Sequence, residues 1–96
     1  MMKKISYDPA KRKETLKKRK LDFEDAREVF SDNHFTFDDL RYDYGEVRKI
    51  TVGYLNNRML IVVWTPRKNI RHIISMRKAN DREKKYYKEV TQGILG

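Results

Sequence analysis

Met59-Leu60-Ile61-Val62-Val63-Trp64 is the longest unbroken apolar run in a 96-residue chain whose side chains are 39% charged. With Thr65 added it is apolar on both faces of an extended backbone, so it reads as the central strand of a sheet. Six residues fall far short of a bilayer span. The chain must therefore fold around this segment as one small domain, 1–96.

The other elements are read outward from it. Asn56-Asn57 is a two-residue hairpin turn, because Asn tolerates positive φ. Before the turn, from Glu46, the period is two: Ile50, Val52 and Tyr54 share one face, Lys49, Thr51 and Gly53 the other. Pro66 to Asn69 turns the chain into a strand from Ile70 to Lys78. Asn80, with Glu83 three residues on, caps a final helix reaching about Val90. Upstream, Lys3 to Tyr7 is a short strand, and Asp8-Pro9 starts a basic helix to about Arg19, anchored by Ala10 and Leu16. Asp22 caps a second helix with Phe23, Ala26, Val29 and Phe30 on its core face. Phe35 and Phe37 alternate with polar residues like an edge strand. Asp38 to Gly45 reads as a solvated acidic turn. The expectation is an α+β domain in the order β-α-α-β-β-β-α plus that edge strand. Its sheet is antiparallel, with the N-terminal helices on one face and a closing C-terminal helix.

The formal charge of +9 is unevenly placed. Residues 1–20 carry nine Lys/Arg against two acids, and residues 67–96 carry nine against three, whereas 21–66 carry five against nine. Two basic ends folded together make a flank suited to nucleic acid, though the same charge also serves solubility. There is no cysteine, which excludes disulfides and thiolate chemistry. No metal motif, Gly-rich phosphate loop or nucleophile elbow is present, so neither cofactor nor metal is expected. Met1 to Lys4 is followed by no apolar stretch of a signal peptide, and a cytoplasmic protein with no membrane contact is expected.

What remains is chemistry on a sheet face. Arg71 and Arg77 are an even number of residues apart, which places both guanidiniums on one face of a regular strand with Ile73 and Ser75 between them. Guanidiniums grip phosphate bidentately. If the second helix covers the Ile50 face, then Lys49 and Thr51 join the arginines on the open face. Such a cluster can stabilise a phosphorane-like charge while a ribose 2′-OH attacks. Glu46, where the acidic loop meets the strand, is the candidate base. His72 alternates away from Arg71 and is expected to be a packed, hydrogen-bonded histidine. Trp64, Tyr86 and Tyr87 are expected in the core. A surface ion pair is the plain alternative for either arginine.

Tyr7-Asp8-Pro9-Ala10-Lys11, Phe23-Glu24-Asp25-Ala26 with Val29-Phe30, Gly45-Glu46-Val47-Arg48, Ile50-Thr51-Val52-Gly53 and Arg71-His72-Ile73-Ile74-Ser75-Met76-Arg77-Lys78-Ala79 occur in this order. With Arg82, Glu83 and Tyr87, they make the chain resemble the BrnT family of type II toxin–antitoxin toxins. The resemblance implies a RelE-like fold and a ribonuclease that inhibits translation. It implies a ribbon-helix-helix antitoxin as partner in a hetero-oligomer, with DNA contacted through that antitoxin. Carried over by position, Glu46, Arg48, Arg71 and Arg77 are the polar residues for RNA cleavage, and the face argument adds Lys49. The family usually has an aliphatic residue where this chain has His72. The alternatives are a non-enzymatic nucleic-acid-binding module and a protein-interaction module.

Overall fold

The computed structural model describes residues 4–31 and 33–95, with side chains as far as Val90. In chain order the elements are β1 (Lys4–Tyr7), α1 (Pro9–Arg19), a 3₁₀ turn (Phe23–Asp25), α2 (Ala26–Ser31), β2 (His34–Asp38), β3 (Lys49–Leu55), β4 (Arg58–Arg67), β5 (Ile70–Lys78) and α3 (Asp81–Leu95). The five strands form one sheet in the order β1-β5-β4-β3-β2, with the apolar run of β4 at its centre. The order β2 to β5 is an antiparallel meander, but β1 pairs parallel to β5, so the sheet is mixed rather than antiparallel. A strand followed by a helix returns to the sheet edge in either direction, and period alone does not specify which.

Local chemistry accounts for most boundaries. Asp8 accepts from the Ala10 N–H, with Pro9 at the first helical position. Asp22 accepts from Glu24 N–H and starts the 3₁₀ turn ahead of α2. Asn80 and Glu83 cap α3 reciprocally, at 2.8 and 3.0 Å. Asn56 and Asn57 take φ of 51° and 63°, as a tight hairpin turn requires. The second turn is shorter than expected: Pro66 stays in β4 opposite Arg71, and Lys68-Asn69 make the reversal.

Both faces of the sheet are covered. On one, Phe23, Ala26 and Val29 pack with Leu55, Leu60, Val62, Trp64, Ile73 and Met76. On the other, Tyr87 of α3 joins Phe35, Phe37, Ile50, Tyr54, Val52, Met59 and Ile61. The second helix therefore lies on the Thr51/Gly53/Leu55 face, the reverse of the sequence expectation, and Thr51 is fully buried. Trp64 Nε1–H donates to Thr51 Oγ1 at 2.8 Å, and Thr51 shares a 2.7 Å bond with Thr36, so these buried polar atoms are satisfied. The hydroxyl makes Thr51 look solvent-facing in the sequence, but partners across the sheet make it a core residue.

Helix α1 departs from expectation in a second way. It has no buried residue, Leu16 is 43% exposed, and Ala10 is exposed as well. It is held by polar contacts at the sheet edge: Arg12 pairs bidentately with Asp22, and Arg19 Nη1 donates to the Met76 carbonyl at 3.1 Å. Tyr86 is 68% exposed rather than a core anchor, while Tyr87 stacks on Phe37 and leans on Phe35.

Helix α2 approaches β3 over Gly53, where a Cβ would lie 2.7 Å from Val29 Cγ1 and 3.1 Å from His34 Cβ. Valine is stiff at χ1 and cannot swing clear cheaply. Gly53→Ala should therefore cost about 1–3 kcal/mol of stability through overpacking. A urea midpoint equal to that of the wild type would show that this approach does not constrain the fold.

Candidate functional site

Strand β5 carries one more residue than β4 opposite it. Ser75 pairs with Val63 and Ile73 with Trp64, so Ile74 is an extra residue, a β-bulge. Because side chains alternate with a period of two, one extra residue turns the rest of the strand over. Arg71 and Ile73 face α2, whereas Ser75 and Arg77 face α3. The six-residue spacing that places the two arginines together in a regular strand places them on opposite faces here. The same bulge brings His72, opposite Thr65, onto the face of Ser75 and Arg77.

Arg71 sits with its guanidinium 4.0 Å from the Phe30 ring centroid and 5.3 Å from that of Trp64. Burial lowers its pKa from the ordinary arginine value. It is a packing element of the α2 side. Lys49 also leaves the expected cluster: its Nζ lies 2.7 Å from Oδ1 of Asp38, its cross-strand partner.

On the α3 face a groove of about 310 Å³ is floored by Ile50, Ile61 and Val63 and rimmed by Arg41, Ser75, Arg77 and Tyr87. Arg77 Nη1 and Nη2 donate to the two Glu83 oxygens at 2.7 and 2.8 Å. This ion pair fixes the guanidinium at the rim and leaves other N–H groups of its fork for a ligand. Burial, with Glu83 next, raises the Tyr87 hydroxyl, which stays neutral at pH 7.

A second groove of about 350 Å³ runs beside the first, sharing Asp38, Asp39 and Leu40 with it, and is lined by Tyr42, Tyr44, Glu46 and Arg48. Arg48 lies 4.0 Å over the Tyr44 ring. Glu46 lies between Arg67, at 3.7 Å, and Arg48, at 4.0 Å. Of the expected residues, Glu46, Arg48 and Arg77 thus line adjoining grooves, and Arg71 and Lys49 do not.

The ridge between the grooves is not the solvated acidic turn that its sequence suggests. The Asp39 side chain is 1% exposed. It accepts from Arg41 Nε and Nη2, both at 2.8 Å, from the Arg41 backbone N–H at 3.2 Å and from the Tyr44 hydroxyl at 3.0 Å. The Arg41 side-chain bonds hold the carboxyl well below the usual range, and Asp39 in turn raises Arg41. Arg41 is therefore a fixed cation at the groove rim. The spacing Asp39, Arg41, Tyr44 is the signal that could have identified it. Among the described residues, no group of three His, Asp or Glu is placed to hold a metal ion, and no helix is long and apolar enough to cross a membrane.

The molecule is thus a small α+β domain with one mixed sheet and an arginine-rimmed groove suited to an anionic ligand. Residues 7–83 match the family described as the ribonuclease toxin, BrnT, of type II toxin–antitoxin systems, and the chain belongs to that family. Membership implies an RNA substrate and an antitoxin partner. No curated protein matches the chain.

The hydrogen bonds from Arg77 hold Glu83 down to about 2, below the ordinary glutamate value of about 4.3. A carboxylate with a depressed folded pKa stabilises the fold above its unfolded pKa, and that contribution is lost as pH falls through the folded one. The Arg77–Glu83 contribution should fade between about pH 4 and pH 2. Melting temperature followed against pH should show a shallower acid slope for Glu83→Gln than for the wild type, and parallel curves would refute the assignment.

Proposed function

We propose that this protein is a RelE-like, metal-independent endoribonuclease toxin acting in the cytoplasm, where it arrests translation by cutting RNA. The observation that carries this reading is the adjacency of the two grooves, with Arg77, Arg41 and Ser75 around one and Glu46 and Arg48 around the other. RNA carries its own nucleophile, so the protein must position a phosphate, stabilise the charge that develops on it and place a base near the 2′-OH. Arg77 and Arg41 hold the phosphate oxygens, Arg48 extends the positive field, and Glu46, the carboxylate between Arg48 and Arg67, supports the base electrostatically. Lys49 and Arg71, on the α2 side, support the fold rather than the chemistry. A ribbon-helix-helix antitoxin neutralises the toxin in a hetero-oligomer and makes the DNA contacts of the complex.

Expression in bacteria tests this reading. The wild type should stop growth and generate new RNA ends, and purified protein should cleave with EDTA present. Arg77→Ala should lower cleavage by roughly 100-fold or more, the scale of one lost charge-stabilising group. Arg71→Ala should keep more activity but lose about 1–2 kcal/mol of stability, as a desolvated cation–π contact is removed. RNA that is bound in a salt-dependent manner but left intact by the wild type would favour a non-enzymatic binding module.

A further inference from the structure

We propose that His72, on the sheet face beside the groove, is the general base of RNA cleavage, taking the 2′-hydroxyl proton at Nε2 while Ser6 fixes the orientation of its ring. The proposal rests on the ribonuclease reading given above. It begins with the bulge at Ile74, which places His72, Ser75 and Arg77 opposite Thr65, Val63 and Ile61 on one face. Alternate residues of β4 are about 7 Å apart, so the three residues follow one another along the face at that interval, with Ser75 and Arg77 in the groove lining and His72 beyond it.

The parallel pairing of β1 sets Ser6 directly opposite His72, and the Ser6 hydroxyl lies 2.8 Å from His72 Nδ1. A serine oxygen can accept from Nδ1–H, which leaves the lone pair on Nε2, the tautomer a base requires. The ring is half-buried rather than packed in the core. The charges around it come from four places: Arg67 of β4, Glu46 of the loop before β3, Asp8 at the start of α1 and Lys11 within it. Burial, reinforced first by Arg67, keeps the imidazole below its ordinary value, so it is neutral at pH 7. Glu46 acts in the opposite direction and favours the imidazolium once the proton has been taken.

The step balances without any further reagent. The O2′–H bond breaks as O2′ bonds to phosphorus, and the proton passes to Nε2. The P–O5′ bond breaks, and the 5′-oxygen takes a proton from water. The imidazolium returns its proton to the hydroxide left behind. The products are a 2′,3′-cyclic phosphate and a 5′-hydroxyl.

The test uses the full-length protein and a short RNA with a single cleaved bond, measuring kcat and KM against pH with RNA binding and melting temperature alongside. His72→Gln should lose ~100-fold or more in kcat, the usual contribution of a positioned base, with binding unchanged. In the wild type, kcat should fall as pH drops through the lowered histidine pKa, and this limb should vanish in His72→Gln. Ser6→Ala should keep KM, lower kcat about 10-fold and move the limb, the signature of a lost orienting bond. His72→Gln cleaving at the wild-type rate with the same pH profile overturns the proposal and leaves the ribonuclease reading standing. If His72→Gln melts early, Ser6→Ala decides: an unmoved limb overturns the proposal. Wild type that cuts no RNA, with Arg77→Ala indistinguishable from it, overturns both.

Discussion

A single extra residue in β5 organises most of what this molecule presents to its surroundings. Strand side chains alternate strictly, so the bulge at Ile74 hands Ser75 and Arg77 to the α3 face while Arg71 and Ile73 stay with α2. It falls where the pairing partner changes. β1 covers the edge of β5 from Ile70 to Ile73, and beyond it α1 takes over, with Arg19 capping the Met76 carbonyl. The larger local twist of a bulge suits that change of neighbour. Without it, Arg77 would point at α2 and the Ile61 side of the groove would lose its cation.

The second organising element is the Asp39–Arg41–Tyr44 ridge. A carboxylate with almost no solvent access is tolerable only when its lone pairs are filled, and four donors fill those of Asp39. The cost of burying that charge is offset by a guanidinium that cannot wander. Arg77 is treated in the same way by Glu83 of α3. Both rim cations are therefore preorganised before any ligand arrives, which is how electrostatic stabilisation becomes effective. The price is partial neutralisation, since each arginine already has an acidic partner. Its remaining N–H groups, rather than a naked charge, meet the ligand.

Much of the architecture was legible from local signals. Asn56-Asn57, the Asp8-Pro9 start, the Asp22 cap and the Asn80/Glu83 capping box each act through neighbouring backbone atoms, so reading them needs no tertiary knowledge. The edge strand at Phe35 and Phe37 and the central run at Met59 to Trp64 follow from side-chain period and burial. The parallel attachment of β1, the exposure of α1 and the burial of Thr51 and Asp39 were not legible. The first and third depend on partners far along the chain: Ile70–Ile73 for β1, Trp64 for Thr51. The burial of Asp39 is hidden although its partners are near, because an acidic stretch in a turn is ordinarily solvated and only the fold closes over it.

The candidate site divides along the same line. By itself the sequence determined most of the residues with the chemistry to handle a phosphodiester: the arginines of β5, and Glu46 and Arg48 ahead of β3; His72 it set aside as a packed histidine. Residue type and order are enough for that, and they are enough for the family. Which of those residues share a face was decided only in the tertiary structure. Parity along a strand is a count, and one unpaired residue changes it from even to odd. Whether that residue is present depends on how β5 pairs with β4 and β1, not on β5 itself. Arg71 is parted from Arg77, and His72 shares a face with it, for that reason alone.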